Sequence, residues 1–203
     1  FFFKQKTAYE IPKRDWSSDV YSSDLRNFVG VDIKGNRIWV GARKAQQEGL
    51  SNVAFLRTQI EQVSTYFSPG EVQEIWITFP DPQLRFSKAK KRLTHPRFLR
   101  MYQQFLQPTG RVHLKTDSPA LYQFTKLVIE HYQCVVHADL DHVYNQSEIP
   151  ADLKIKTHYE SLDIAGSNRI HYLCFSLSPN LASPEKEILF KEKLAQIELE
   201  IKG

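Results

Sequence analysis

Cysteine is nearly absent from this sequence: Cys134 and Cys174 are the only two in 203 residues. Two unclustered thiols cannot build a disulfide framework or a zinc site, and they fit a reducing, cytoplasmic setting. The histidines lack metal-ligand spacing, with His137 and His142 five apart and His158 and His171 thirteen apart, so no metal is expected. No apolar run approaches the roughly 20 residues that a membrane-spanning helix needs, and no membrane partner is expected. The chain also lacks a GxSxG nucleophile turn, a P-loop and an HExxH helix, which weakens hydrolase readings. What remains is ordinary globular material, 41% hydrophobic and 25% charged, with a formal charge of only +4.

Residues 1–25 stand apart. They show no apolar period and no signal-peptide core or cleavage site. KQKTAYEI at 4–11 and DWSSDVYSSDL at 15–25 resemble a translated sequencing-adapter oligonucleotide, with 12–14 spanning its variable index and Tyr21 one base change from the usual Cys. The segment is expected to be non-native and to replace a missing native beginning. Residues 26–203 are then one domain, incomplete at its N-terminus. Because residues 1–25 carry four basic and four acidic side chains, the remainder still holds +4.

From Arg26 onward, short apolar runs alternate with helical patterns. Strands are expected at 28–33, 53–56, 74–79, 111–115, 134–140 and 170–177. Helices are expected at 34–48, 60–67, 96–106, 120–132 and 185–202, with turns at Pro69-Gly70 and Pro108-Thr109-Gly110. Such alternation predicts an α/β fold with a mostly parallel sheet, since parallel neighbours need crossover helices. The last two strands break the alternation. Ligands of such sheets bind at the carboxyl ends of strands, where Asp32, the Phe79-Pro80-Asp81-Pro82 turn and Lys115-Thr116-Asp117 fall.

Each of these features has two readings. Asp32 suits the vicinal hydroxyls of a ribose, or it is an ordinary turn or helix-capping acid. No glycine-rich turn precedes it to support the nucleotide reading. Asp81, fixed between two prolines, is a rigidly presented binding group or a plain Pro-Asp turn. Residues 85–100 hold Arg85, Lys88, Lys90, Lys91, Arg92, Arg97 and Arg100 without a single acid, so +7 sits here and −3 on the rest of the native chain. That is a polyanion footprint or a solvated basic loop, and the complete lack of interspersed acids favours the former. Cys134 and Cys174 lie in apolar runs and read as core thiols. Thr157-His158-Tyr159-Glu160 reads as a capped helix start.

Four motifs in order, Ile77-Thr78-Phe79-Pro80-Asp81-Pro82, Lys90-Lys91-Arg92-Leu93-Thr94, Gly110-Arg111-Val112-His113-Leu114-Lys115-Thr116-Asp117 and Thr157-His158-Tyr159-Glu160, resemble bacterial TrmB-type tRNA (guanine-N7) methyltransferases. The resemblance implies a Rossmann-like class I sheet, here lacking its first strand and glycine-rich loop. S-adenosyl-L-methionine would be the methyl donor, and tRNA, at a variable-loop guanosine, the substrate. Asp32 would hold the cofactor ribose in place of the more usual Glu. Gln59, where the family often has Asp, and Ile60 would lie near the adenine. Asp81 would be the central acid, shared by cofactor site and catalysis. Arg85, replacing a Lys, would contact the target nucleotide with Asp117, Thr157, His158, Tyr159 and Glu160, while Lys88, Lys90, Lys91 and Arg92 would grip tRNA phosphates. Gln83 replaces a frequent Trp.

Guanine N7 carries a lone pair and loses no proton on methylation, so positioning suffices and no strong general base is needed. Two competitors are kept: a catalytically inactive truncated fragment with residual tRNA binding, and a nicotinamide-dependent oxidoreductase. The latter shares the ribose acid but has no use for a +7 loop. The oligomeric state, monomer or homodimer, is open.

Overall fold

In the computed structural model, which describes residues 27–155, 160 and 169–202, the expected alternation is present with small shifts of boundary. Strand β1 (Phe28–Asp32) feeds helix α1 (Gly35–Gln47), which returns to β2 (Val53–Arg57). The two strands pair in parallel from Phe28↔Val53 to Asp32↔Arg57. A Cβ at Gly30 would lie 3.0 Å from the Phe55 ring, so any larger residue there needs that ring to shift. The expected helix at 60–67 is a 3-10 segment, Ile60–Tyr66, with Val63 buried.

Strand β3 (Val72–Thr78) pairs in parallel with β4 (Leu106–Thr116). Between them lie a second 3-10 segment, Phe86–Lys91, and helix α2 (Pro96–Tyr102). The apolar stripe at 96–106 had suggested a longer helix, but the chain leaves α2 at Tyr102 and enters β4 early through a bulge. That bulge separates the pairs Val72↔Leu106 and Glu74↔Arg111. Gly110 closes it, since a Cβ would come within 2.5 Å of the Leu106 side chain and 2.8 Å of a backbone oxygen.

Helix α3 (Pro119–Tyr132) begins on Ser118, whose hydroxyl accepts the Leu121 N–H, and has Pro119 in its first turn. It stops at Gln133, which is left-handed at φ 58°. Strand β5 (Val135–Leu140), the short helix α4 (Ala151–Lys154) and strand β6 (His171–Ser176) follow. β6 inserts antiparallel between β4 and β5. The described strands therefore form two sheets, β1-β2 and β3-β4-β6-β5, and among the described residues no strand pairing joins one to the other.

The core is concentrated in the four-stranded sheet. Ile75, Ile77, Val112, Leu114, Leu173 and Phe175 are buried with Phe98, Leu99, Tyr102, Leu121, Val128 and Tyr132 from α2 and α3. Helix α5 (Pro184–Lys202) docks on this body through Phe190, which is 2% exposed and packed among the rings of His95, Phe124, His131 and Tyr132. Lys186 clamps the same contact, its Nζ donating to the His131 carbonyl at 3.0 Å. Cys134 and Cys174 are both buried free thiols, as their apolar settings predicted.

Candidate active site and nucleic-acid interface

The strand ends are where the sequence departs most from regular backbone. At the end of β3 the Phe79 N–H still donates to the Lys115 carbonyl of β4 at 2.8 Å, and then the chain turns sharply. Phe79 and Gln83 both hold left-handed backbone, at φ 47° and 48°. Two non-glycine residues in that region store roughly 1–3 kcal/mol of strain each, which persists only where the surroundings fix it. Between them Pro80 and Pro82 restrict the backbone, and exposed Asp81 accepts the Gln83 N–H at 2.9 Å through Oδ1. The residue sits in a proline-fixed turn that holds its carboxylate exposed at the strand tip.

Asp32 closes β1. Its Oδ1 accepts the Lys34 N–H at 2.8 Å, and Oδ2 lies 3.3 Å from Arg37 Nη1, with 13% of the side chain exposed. The helix cap itself falls to Lys34, so Asp32 serves the turn before α1. On the adjoining strand the Thr58 N–H donates to the Asp32 carbonyl at 3.3 Å. Gln59, exposed, and Ile60, half-buried against the core, follow directly. Asp32, Gln59 and Ile60 are thus brought together at the ends of one parallel pair. Together they offer a carboxylate, an amide and an apolar side chain at one strand edge.

The end of β4 presents a feature that sequence reasoning missed. Lys115 Nζ is buried at 2.7 Å from Glu160 Oε1, each side chain only 3% exposed. It also donates to the carbonyls of Leu153 at 3.2 Å and Ile155 at 3.0 Å. Tyr144 donates its hydroxyl to the other Glu160 oxygen, and burial together with that carboxylate pushes the Tyr144 phenol pKa well up. Glu160, expected to contact the nucleotide, is therefore held on both oxygens by protein groups. Its expected neighbours Thr157, His158 and Tyr159 lie outside the described residues. Half-buried Asp117 follows Thr116, at the entry to α3.

The basic run divides. Arg85, Lys88, Lys90 and Lys91 are exposed along the 3-10 segment that leaves the Asp81 turn. Farther on, Arg97 pairs with Glu61 at 2.9 Å, and Arg100 reaches Glu187 at 3.5 Å and the Leu181 carbonyl at 3.1 Å. Arg92 departs from the expectation of a phosphate contact. It is 5% exposed, and its guanidinium donates to the carbonyls of Pro82 and Gln83 with its face over the Phe124 ring at 4.4 Å. The reason is its backbone position: Arg92 caps the 3-10 segment, which turns its side chain inward beneath the Asp81 turn. His95, beside these cations, has its pKa lowered to about 4, by burial first and then by Arg100, Arg97 and Lys90.

A second polar cluster lies on the sheet itself. The Trp76 and His113 rings stack at 4.0 Å, His113 Nδ1 shares a hydrogen with the Tyr172 hydroxyl at 2.8 Å, and Trp76 Nε1 donates to Glu74 at 3.0 Å. Burial lowers the His113 pKa to about 4, so at neutral pH its 3.6 Å approach to Glu74 is not an ion pair. Among the described residues no group of three or more His, Cys, Asp or Glu side chains could hold a metal. No described helix is long and apolar enough to cross a membrane.

Comparison with known proteins fits these observations. The family model described as "Putative methyltransferase" matches residues 23–172. A tRNA (guanine-N(7)-)-methyltransferase of Porphyromonas gingivalis is 49% identical over 153 residues, covering 75% of this chain and 62% of that protein. Enzymes of the same name from Christiangramia forsetii and Cytophaga hutchinsonii are 42% and 40% identical over 156 residues, and the matches cover 68% and 70% of their lengths. Against the first relatives matched, the chain spans 62–65% of their length. Among solved structures, TrmN from Thermus thermophilus superposes with a TM-score of 0.48 at 21% identity, over 74% of this chain and 36% of that one. The α/β sheet, closed by an antiparallel strand slipped between the last parallel strand and its neighbour, is of the Rossmann-like class I methyltransferase type. With matches of this length and identity running through the Asp81 turn and the strand ends on either side, the chain belongs to the tRNA (guanine-N7) methyltransferase family.

Proposed function

We propose that this chain carries the tRNA-binding and catalytic part of an enzyme that methylates N7 of guanosine 46 in the tRNA variable loop. The single observation that carries the reading is the strained Phe79–Gln83 turn, which presents Asp81 at a strand tip immediately before four exposed cations. Bound S-adenosylmethionine would supply an activated methyl group on a sulfonium. Asp32 would accept the ribose hydroxyls, with Gln59 and Ile60 beside the adenine. Asp81, one oxygen tied to the Gln83 N–H, orients the reactants and takes up no proton, because N7 has none to give. Arg85, Asp117, Thr157, His158 and Tyr159 would form the surroundings of the base, with Glu160, both oxygens engaged, holding Lys115 and Tyr144 in place, and Lys88, Lys90 and Lys91 would form the phosphate grip.

Filter binding of unmodified tRNA across a salt series, paired with transfer of a labelled methyl group, tests this reading. Affinity should fall steeply with salt, with a slope near 0.9 or less per phosphate neutralised. Asp81→Asn should abolish turnover while leaving tRNA affinity in place. Salt-insensitive binding, or wild-type turnover in Asp81→Asn, would overturn it.

A second reading is a chain that binds tRNA without catalysing transfer. The division of the described strands into two separate sheets favours it. Titration calorimetry with S-adenosylmethionine separates the two, since a non-catalytic chain gives no heat of binding and no labelled tRNA.

We further propose that residues 26–203 form a single domain, most of which the family match over 23–172 spans.

A further inference from the structure

We infer that Arg92 is a positioning residue, holding the Asp81 turn against the helix that follows Asp117. It is not one of the phosphate ligands among which its sequence neighbours fall. The inference rests on the proposed role of Asp81. Three observations carry it.

The first is the pairing of the turn. Arg92 Nε lies 3.2 Å from the Pro82 carbonyl and 3.3 Å from that of Gln83, and Nη2 lies 3.2 Å from the Gln83 carbonyl. These carbonyls belong to the last two residues of a turn with left-handed backbone at both ends. A backbone of that kind stays in place only when other groups over-determine it. Asp81 provides one restraint, from within the turn, by accepting the Gln83 N–H. Arg92 provides the other, from outside it.

The second is what lies behind the guanidinium. Its planar face sits 4.4 Å from the Phe124 ring of α3. One turn-length away in sequence, the Thr94 and Thr125 hydroxyls are hydrogen-bonded at 2.8 Å and fully buried. The segment carrying Arg92 is therefore fastened to α3 at two adjacent residues. Since α3 begins two residues after Asp117, a single side chain couples the placements of Asp81 and Asp117.

The third is the manner of burial. Arg92 is 5% exposed and meets no carboxylate within ion-pair distance among the described residues. A guanidinium stays protonated under these conditions and retains its donors in one plane. Planarity allows two carbonyls to be bridged at the edge while an aromatic ring is stacked on the face. An ammonium group can donate to carbonyls but has no planar face to stack on a ring while doing so, so Arg92→Lys keeps the charge and loses the geometry.

Hydrogen exchange, which does not require an active chain, gives the direct test. In Arg92→Lys, the amides of Asp81 and of Gln83, Leu84 and Arg85 within 81–85 should exchange about tenfold faster, while those in the interior of α3 and of β4 keep their rates. The salt slope of tRNA binding should match the unsubstituted chain, whereas Lys91→Ala should lower it by about one. Where methyl transfer is measurable, kcat should fall by up to about 100-fold with KM for tRNA little changed, as for a misplaced catalytic group. Phe124→Leu, which leaves Arg92 in place and removes only its stacking face, should give the same localised exchange to a smaller degree. It also serves if Arg92→Lys fails to fold. Unchanged exchange at 81–85 with a salt slope reduced by about one would make Arg92 a phosphate ligand and overturn the inference. Equal acceleration across α3 and β4 would reduce it to general packing and overturn it also. Failure of the proposed function reads differently: the unsubstituted chain then neither binds tRNA nor transfers methyl, whatever the exchange pattern in Arg92→Lys.

Discussion

The β1-β2 pair and the four-stranded sheet follow the same α/β rules but differ in how much they bury. In β1 only Val31 is buried, and in β2 no residue is. In β6 five of six residues are buried, and the last five residues of β4 all are. The paired strands carry the residues expected to hold the cofactor, Asp32, Gln59 and Ile60. The larger sheet carries Asp81, Asp117, Glu160 and the exposed cations. Burial is therefore concentrated in the larger sheet, and the residues proposed to hold the cofactor follow strands with less to hold them.

Truncating one aromatic in each region tests this difference most directly. Phe175→Ala, in β6, should destabilise by about 3–5 kcal/mol, since Phe175 is fully buried. Phe55→Ala, on half-buried β2, should cost about 1–2 kcal/mol on the same area-based reasoning. Urea unfolding of both variants checks this, and equal losses would mean that the paired strands are as firmly built as the larger sheet.

Next in size is the buried pair Lys115–Glu160. Lys115→Met leaves the Glu160 carboxylate without its cation and should cost about 3 kcal/mol. Adding Glu160→Gln should recover a large part of that loss, because the uncompensated charge is gone. A double-mutant cycle in urea measures it, and additive losses would show that the two side chains are not coupled.

Acid should separate the regions more gently. His113, in the larger sheet, has a folded pKa of about 4 against about 6.5 unfolded. The unfolded chain therefore binds more protons between these values, and stability falls as pH drops from about 6.5 towards 4. Burial is the main cause, partly offset by Glu74 and Asp152. The urea midpoint should decline across this window, and His113→Gln should flatten the decline. His95, similarly lowered, leaves a residual slope. The smallest effect belongs to the Arg97–Glu61 pair, which ties α2 of the larger sheet to the 3-10 segment after β2. Both side chains are well exposed, so Arg97→Ala should cost at most about 0.5 kcal/mol.

Local signals accounted for most elements. The apolar run 74–79, stopped by Pro80 and Pro82, marked a strand and its tip, and Ser118-Pro119 marked the start of a helix. The Pro80-Asp81-Pro82 turn and the acid-free run after it were legible for the same reason, since both are written in consecutive residues. What was not legible depended on partners far along the chain. Lys115 meets Glu160 45 residues later, so neither could be recognised as half of an ion pair. Arg92 looked like its neighbours Lys90 and Lys91, and only the 3-10 geometry of 86–91, a class of turn with no strong sequence pattern, points it inward. At 96–106 the helical stripe was real, but Phe105 and Leu106 are buried in the bulged entry to β4 and not on a longer helix.

The two buried thiols make the folded chain a quiet background for chemical labelling. Burial raises the pKa of both Cys134 and Cys174, and the thiolate, not the thiol, reacts with alkylating reagents. A cysteine introduced on the outer rim, as in Lys88→Cys, would then take up a fluorophore or crosslinker selectively without removing either native residue. The native pair would become reactive only when the strands around β6 part, which turns alkylation into a clock for the opening of that sheet.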